Sequence, residues 1–324
     1  MLITPLDPTE LSSTVVVITG GWSRERDRAL LSGRTVAGAL DEMGVKTRVI
    51  DLSEPREDLL DSLVEAERAF LAIAGRGAED GRLQGLLETL GVPYTGSGVL
   101  ASAIGMNKIH AKTVVSAAGI RVPVGTRIEP RALPDDEAAR ISSMLELPVI
   151  LKPISEGGSI GIQLATSGES LASALFHVAD EELMAEAFHP GRTLSIGVLE
   201  DRAGLLHALP PLEAVTPNGI YSYAAKRGTA DCAYHCPARV SAITLDDLKS
   251  QAVAAHRTLH CHSYSRHDFI VDNDGLAWWL EVNTLPGLSK SGNFARMAQA
   301  DGIPYELLLT HILRGADIDR RARP

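Results

Sequence analysis

Three apolar stretches of this sequence end abruptly in charged or amide side chains. The run AWWL leads directly into Glu281 and Asn283, and the run PVIL leads into Lys152. A third stretch, ELMAE, ends at Glu186. Burying such groups is costly unless a partner pairs with them. We therefore expect these residues to meet an anion, a cation or each other in a binding cleft.

Two acids and an amide are spaced to bind a metal ion on one hairpin. Asp268 and Glu281 lie on predicted strands joined by the turn DNDG, so their carboxylates become cross-strand neighbours. Arg266 and Asn283 lie two residues away from them and point to the same face. An all-oxygen ligand set suits Mg²⁺, which keeps water and substrate phosphates as its other ligands. A surface hairpin with scattered charges is the alternative, but it does not explain why AWWL leads into these residues.

A Gly-rich segment, SEGGSIG (155–161), follows Lys152. Such a backbone approaches an anion closely and offers it several N–H groups. An ordinary turn is the alternative, but Lys152 at the end of an apolar strand favours a phosphate-binding loop. The motif G-x-x-x-x-G-K-[ST] is absent, and the loops after the N-terminal strands do not match G-x-G-x-x-G, so P-loop and Rossmann folds are disfavoured.

The elements that position these residues follow from the periodicity. TVVVITGG (14–21), KTRVIDL (46–52) and RAFLAIAG (68–75) predict strands that alternate with helical patterns, which is typical of a parallel α/β unit. Ligands bind at the carboxyl ends of such strands, so the loops at Gly20 and Gly75 form its functional edge. From Met106 onward, shorter strands and helices predict α+β units.

Composition narrows the class of protein. The 324 residues are 45% hydrophobic and 22% charged, as in ordinary globular proteins. The net charge of −10 argues against nucleic acid or an anionic membrane as the main partner. No apolar run is long enough to span a bilayer, and no signal peptide is visible at the N-terminus. Three Cys cannot form a disulfide framework, so we expect a cytoplasmic protein.

Together these motifs resemble the ATP-grasp ligases of the D-alanine–D-alanine ligase family. The resemblance runs from about Val15 to Leu313 and rests on GGWSRERDRALLSG, GRGAEDGRLQGLLETLGVPYTGSGVLASAIGMNKIHAK, LPVILKPISEGGSIG, YSYAAKRGTADCAYHCPA, SRHDFIVD and EVNTLPG. It implies a three-domain ATP-grasp architecture, with an N-terminal α/β domain (1–105), a central subdomain carrying the Gly-rich loop (106–191) and a C-terminal subdomain carrying the Mg²⁺ site (192–324). It also implies a homodimer.

The resemblance implies how ATP would be held. Lys108, Lys152 and Lys226 would contact its phosphates, and the Gly-rich loop would cover them. Glu186 would bind the adenine amino group, and the backbone of the next three residues would contact the adenine edge. The implied nucleotide-binding residues are Lys108, Lys152, Gly157, Gly158, Ser159, Glu186, Ala187, Phe188, His189 and Lys226.

The resemblance also implies an ADP-forming reaction between two amino acids. ATP would convert one carboxylate into an acyl phosphate, which the amine of the second amino acid attacks. Asp268, Glu281 and Asn283 would bind two Mg²⁺ ions. Arg266 and the Gly287 N–H would stabilise the tetrahedral intermediate, and Glu25 would orient the first ammonium group. The implied catalytic residues are Arg266, Gly287, Glu25 and Lys226.

The chain departs from the family pattern where the amino acids would bind. Ala74, Gly158, Arg227, Gly292 and His267 stand where the family has His, Ser, Tyr, Ser and a small hydrophobic residue. Thr193 stands at the expected ribose-binding Glu position. We expect the departures to line the substrate pockets, with Ser289, Ser291 or Lys290 able to substitute for the Ser missing at 292. The expected specificity residues are Glu25, Arg227, Ala74, Gly292, Ser289 and Ser291.

These departures favour a ligase with altered amino-acid specificity, as in specialised or antibiotic biosynthesis. An added guanidinium at Arg227 would suit a substrate that is larger or carries an extra anionic group. The first alternative is a D-alanine–D-alanine ligase of peptidoglycan synthesis. The alternative from another class is a nucleotide-binding protein without catalysis, against which the intact Arg266, Asp268, Glu281 and Asn283 argue.

Overall fold

The computed structural model describes residues 3–11, 13–53, 56–176, 182–217, 221 and 231–316. Two residues of the expected site, Lys226 and Arg227, lie outside this described part of the chain. Within it, no helix combines the length and apolar character that crossing a membrane requires.

The N-terminal part of the chain forms the predicted parallel sheet. Strands β1 (Thr14–Thr19), β2 (Thr47–Asp51) and β3 (Ala66–Leu71) pair in the order β2-β1-β3, all parallel. Helices α1 (Arg26–Glu42) and α2 (Arg56–Val64) connect the strands, and α3 (Arg82–Thr89) follows. The central strand β1 is buried from Val15 to Thr19, which explains its continuous apolar run. The α/β fold class predicted from the periodicity is therefore confirmed here.

An antiparallel sheet forms the middle of the chain. Two helices, α4 (Val99–Met106) and α5 (Lys108–Ala117), precede β4 (Gly125–Arg127), β5 (Val149–Pro153), β6 (Gln163–Ala165) and β7 (Leu183–Ala187). The strand order is β4-β7-β5-β6. Helices α6 (Pro134–Met144) and α7 (Gly168–Phe176) pack against each other, and Ile141 and Leu171 contribute to the core beneath this sheet. The Gly-rich loop connects β5 to β6.

The described residues in the last part of the chain form a larger antiparallel sheet and three helices. Its strands are β8 (Gly191–Glu200), β9 (Leu206–Ala208), β10 (Leu212–Val215), β11 (Ala233–His235), β12 (Tyr264–Asp272) and β13 (Ala277–Asn283). The order is β11-β10-β8-β12-β13, with β9 paired to β8. The helices are α8 (Ala242–Thr258), α9 (Asn293–Ala300) and α10 (Tyr305–Arg314).

Residues from both ends of the chain share one hydrophobic core. Val16 and Leu40 of the N-terminal unit belong to the same buried cluster as Phe294 and Leu308. Helix α10 also packs against α1. This core joins segments far apart in sequence, and the bounds of the three domains remain predictions.

Two buried histidines form a polar chain inside the C-terminal unit. Trp279 Nε1 donates to His267 Nδ1 over 3.2 Å, and Ser265 Oγ lies 2.9 Å from His267 Nε2 and 2.7 Å from His256 Nδ1. Burial lowers the pKa of His256 to about 4 and that of His267 well below its ordinary value. Both imidazoles are therefore neutral at pH 7.

This pair should make the fold sensitive to acid. Because the folded-state pKa values lie below the unfolded value, stability is complete above about pH 6.5 and is lost as the pH falls toward 4. We expect the free energy of unfolding to drop from pH 7.5 to pH 5, with His256 contributing on the order of 2 kcal/mol. Urea unfolding measures the drop. His256→Gln should make the decrease in the free energy of unfolding between pH 7.5 and pH 5 smaller, and the exposed control His110→Gln should leave it unchanged. An equal decrease in both variants would contradict this account.

Candidate active site

A cleft between the central and C-terminal sheets collects most of the charged residues singled out in the sequence. Apolar side chains, among them Ile150, Ile270 and Leu280, form part of its wall. Thr193 also lines it. The predicted nucleotide-binding and metal-binding residues in its lining are Lys108, Lys152, Ser159, Glu186, Ala187, Phe188, His189, Asp268 and Glu281.

Glu186 lies at the centre of a cluster of ammonium groups in this cleft. Its side chain is ion-paired with Lys152 through Oε1, and its Oε2 lies 3.0 Å from Lys112 Nζ. Burial alone would raise the pKa of Glu186, but Lys112 and Lys152 outweigh it and hold the pKa below its ordinary value. The carboxylate is thus ionised although it is buried. This cluster explains why Lys152 and Glu186 can end apolar strands.

The backbone after Glu186 is partly occupied by the sheet. The N–H of Ala187 donates to the Val124 carbonyl, and that of Phe188 donates to the Pro148 carbonyl. The expected adenine-edge contacts would therefore use other backbone groups of this segment. The His189 ring stacks on Trp278 with a centroid distance of 3.9 Å and forms one end of the cleft.

Strands β12 and β13 form the predicted antiparallel hairpin, with a register shift between Asp268 and Phe269. Asp268 lies directly opposite Glu281, and Arg266 lies opposite Asn283. Arg266 donates to both carboxylate oxygens of Asp268, from Nε and Nη2, each over 2.9 Å. Asn283 Nδ2 lies 3.3 Å from the same carboxylate. The four side chains therefore meet on one face of the sheet.

Glu281 is ion-paired with Lys108. Its Oε2 lies 3.2 Å from Lys108 Nζ, which also donates to the Glu156 carbonyl over 2.5 Å. Among the described residues, no group of three or more His, Cys, Asp or Glu side chains is placed to hold a metal. The donors present, two carboxylates and one amide, fit Mg²⁺ because that ion commonly completes its shell with phosphates and water.

A second, smaller cavity adjoins this hairpin and reaches the N-terminal unit. Glu25, buried at the start of α1, accepts from Arg28 Nη1 over 2.9 Å. Arg266 and Gly287, which belong to the C-terminal unit, line the same cavity as Glu25. The site residues predicted here that line the cavity are Glu25, Ala74, Gly158, Arg266, Asn283 and Gly287. Groups expected to bind an amino acid and to stabilise an oxyanion thus surround one space.

The Gly-rich loop closes one side of this cavity. A Cβ on Gly157 would lie 2.3 Å from Glu25 Oε2, so only glycine allows the loop to pack this closely on the carboxylate. Ser159 adopts a φ of 61°, a left-handed conformation that is uncommon for residues with a side chain. The loop therefore contacts both the nucleotide cleft and the smaller cavity.

Comparison with known proteins gives this arrangement a family. Residues 114–314 match the family model described as D-ala D-ala ligase C-terminus. The D-alanine–D-alanine ligase of Alkalilimnicola ehrlichii is 37% identical over 312 residues, covering 96% of both chains. That of Bordetella pertussis is 40% identical over 310 residues, covering 93% of this chain and 94% of its own. This chain belongs to the D-alanine–D-alanine ligase family.

The fold agrees with the sequence comparison. The crystal structure of the Bacillus anthracis D-alanine–D-alanine ligase complexed with ATP superposes with a TM-score of 0.81 at 27% identity, covering 96% of this chain and 99% of that one. The predicted ATP-grasp architecture is therefore confirmed, and this family member is an ATP-dependent ligase.

Two buried residues of this ligase escaped the sequence analysis. Glu79 accepts the N–H of Gly75 over 2.7 Å and that of Leu285 over 3.0 Å, which ties the loop after β3 to the segment containing Gly287. Burial, reinforced by Glu25, raises the pKa of Glu79 to about 7. The other residue is Lys112. Its signal was present, because Lys108 and Lys112 are one helical turn apart and share a face.

Several expected pocket residues lie elsewhere. His267 does not line a substrate pocket, so that expectation is wrong: it is fully buried on the opposite face of β12 from Arg266 and Asp268. Within the described part of the chain, Ser289, Ser291 and Gly292 are outside the linings of both cavities. Gly292 instead donates to the Ser289 carbonyl over 2.8 Å and begins α9. Their proposed role in specificity stays a prediction.

Proposed function

We propose that this enzyme is a D-alanine–D-alanine ligase that joins two D-alanine molecules with release of ADP and phosphate. The observation that carries the proposal is the meeting of Glu25, Arg266 and Gly287 around one small cavity beside the nucleotide cleft. Relatives sharing 37–40% identity over nearly the whole chain carry the same name and support this substrate.

The proposed chemistry assigns a task to each wall of the site. Lys108 and Lys152 offset the negative charge of the ATP phosphates as the γ-phosphoryl group passes to the carboxylate of the first D-alanine. Asp268, Glu281 and Asn283 would hold Mg²⁺, which when bound neutralises phosphate charge. The acyl phosphate formed is an electrophile that the free carboxylate is not.

The smaller cavity completes the reaction. Glu25 orients the ammonium group of the first D-alanine, while the second D-alanine attacks through its neutral amine. Arg266 and the Gly287 N–H stabilise the negative oxygen of the tetrahedral intermediate, and phosphate leaves as the intermediate collapses. Donors fixed by the fold need no reorganisation when this charge develops, which is why they accelerate the step.

An assay of ADP release over a panel of amino acids tests the proposal. The purified protein with Mg-ATP should turn over D-alanine alone, with the dipeptide confirmed by mass spectrometry, and L-alanine is the control. Faster turnover with an acidic or bulky partner would instead support the altered specificity suggested by Ala74 and Gly158. ATP binding with no ADP release from any pair would support loss of catalysis. The cytoplasmic location and homodimer remain predictions.

A further inference from the structure

Lys112 joins the two walls of the nucleotide cleft. It lies on α5 with 5% of its surface exposed. Its ammonium group lies 3.0 Å from Glu186 Oε2 on the central sheet and donates to the Trp279 carbonyl of β13 over 3.3 Å. The lysine therefore spans from the residue expected to recognise adenine to the strand that carries Glu281.

Glu186 is shared between two lysines with different surroundings. Lys152 lines the cleft and is expected to contact the ATP phosphates, whereas Lys112 does not belong to the described lining. When phosphates draw the Lys152 ammonium toward them, Lys112 is the close cation that Glu186 keeps among the described residues. A buried carboxylate without a counter-charge is strongly unfavourable, so it would take up a proton.

We propose that Lys112 is a positioning residue that keeps Glu186 ionised, and turned toward the adenine amino group, when Lys152 engages the ATP phosphates. The inference rests on the proposed nucleotide-binding roles of Glu186 and Lys152. It adds a residue that makes no contact with the nucleotide but determines which base the cleft accepts.

The protonation state of Glu186 has a direct consequence for base recognition. An ionised carboxylate only accepts hydrogen bonds, so it pairs with the 6-amino group of adenine and repels the 6-carbonyl of hypoxanthine. A protonated carboxyl can donate to that carbonyl. In the described part of the chain, Glu186 Oε2 is buried without a well-aligned hydrogen-bond donor, so it retains acceptor capacity.

The charges around Lys112 support a titration near physiological pH. Burial lowers the pKa of Lys112 to about 8, although Glu186 opposes this shift. Lys152 on β5 lowers the pKa of Lys112 further, and Glu281 on β13 raises it. The charge of Lys112 in turn lowers the pKa of His189. Nucleotide phosphates would favour the charged form of Lys112. The affinity for Mg-ATP should therefore weaken once the pH exceeds the pKa that Lys112 has in the free enzyme.

Calorimetric binding of Mg-ATP and Mg-ITP, without amino acids, tests the inference. Lys112→Met should raise the Kd for ATP by about 10-fold, equivalent to about 1.4 kcal/mol. It should weaken ITP binding much less, so the preference for ATP shrinks. Lys112→Arg should keep the preference, and Lys46→Met, which removes an exposed lysine, should leave both affinities unchanged.

A purely structural role would weaken both nucleotides equally in Lys112→Met, and that result, or unchanged affinities, would overturn the inference. The wild type provides a second measurement if Lys112→Met does not fold. The wild-type affinity for Mg-ATP should decline above about pH 8, whereas the affinity of Lys112→Arg should stay constant to a higher pH. The same dependence of affinity on pH in both proteins would also overturn the inference. Because no amino acid is present, these outcomes are independent of whether D-alanine is the substrate.

Discussion

Replacing Arg266 by methionine should lower kcat by about 10²- to 10³-fold, as expected for loss of an oxyanion-stabilising group. Arg266 is 8% exposed and lies between Asp268 and the smaller cavity. Asp268, supported by Ser195 Oγ at 2.7 Å, fixes the guanidinium by two parallel hydrogen bonds. The same carboxylate raises the pKa of Arg266 despite the burial that opposes it, so its charge is permanent.

Measuring the affinity of Arg266→Met for Mg-ATP separates an effect on catalysis from an effect on binding. Because Arg266 is proposed to act on the oxyanion, the Kd for Mg-ATP should stay within about threefold of the wild type, a difference below about 1 kcal/mol. Arg266→Lys is the matched control, since it keeps the charge but cannot reproduce the planar fork that pairs with Asp268. We expect it to recover part of kcat. Wild-type kcat in Arg266→Met would remove Arg266 from the mechanism.

Replacing Glu281 by glutamine should lower kcat/KM for ATP by about 100-fold at low millimolar Mg²⁺. The carboxylate lies opposite Asp268 on the hairpin and faces Lys108 at 3.2 Å. Loss of its charge removes an anionic oxygen from the proposed Mg²⁺ donors and changes the pairing of Lys108, which is proposed to contact the ATP phosphates. Both effects weaken the hold on the triphosphate rather than the attack of the amine.

Titration with Mg²⁺ distinguishes this role from general damage to the hairpin. The activity of Glu281→Gln should rise at Mg²⁺ concentrations that already saturate the wild type. Asp274→Asn changes an exposed acid in the turn of the same hairpin and should behave as wild type. A Glu281→Gln enzyme with an unchanged Mg²⁺ requirement would argue that this residue is not a metal ligand.

The hairpin illustrates why part of the site follows from sequence alone. The DNDG turn makes two consecutive strands antiparallel neighbours, and a register shift between Asp268 and Phe269 then places Asp268 opposite Glu281. The same alternation required His267 to point away from Arg266 and Asp268. Because successive residues of a strand point to opposite faces, His267 lies on the face away from the pocket. There it contacts Ser265 and Trp279 in the core.

The contacts that were missed join distant parts of the chain. Glu79 pairs with Leu285, a residue 206 positions away, and Lys112 pairs with Glu186 and the carbonyl of Trp279. Local patterns identify neither pairing, because each depends on how the three sheets pack. The sharing of one core by α10 and the N-terminal sheet has the same origin.

By itself, the sequence determined the family and with it the reaction class, because the Gly-rich loop, the lysines and the hairpin acids stand in short segments that resemble the D-alanine–D-alanine ligases. Only the tertiary structure decided that Lys112 and Lys152 keep the buried Glu186 ionised, that backbone N–H groups hold Glu79, and which departures from the family pattern line the smaller cavity. Burial and long-range pairing set the energies of such groups, and neither is a property of a single segment.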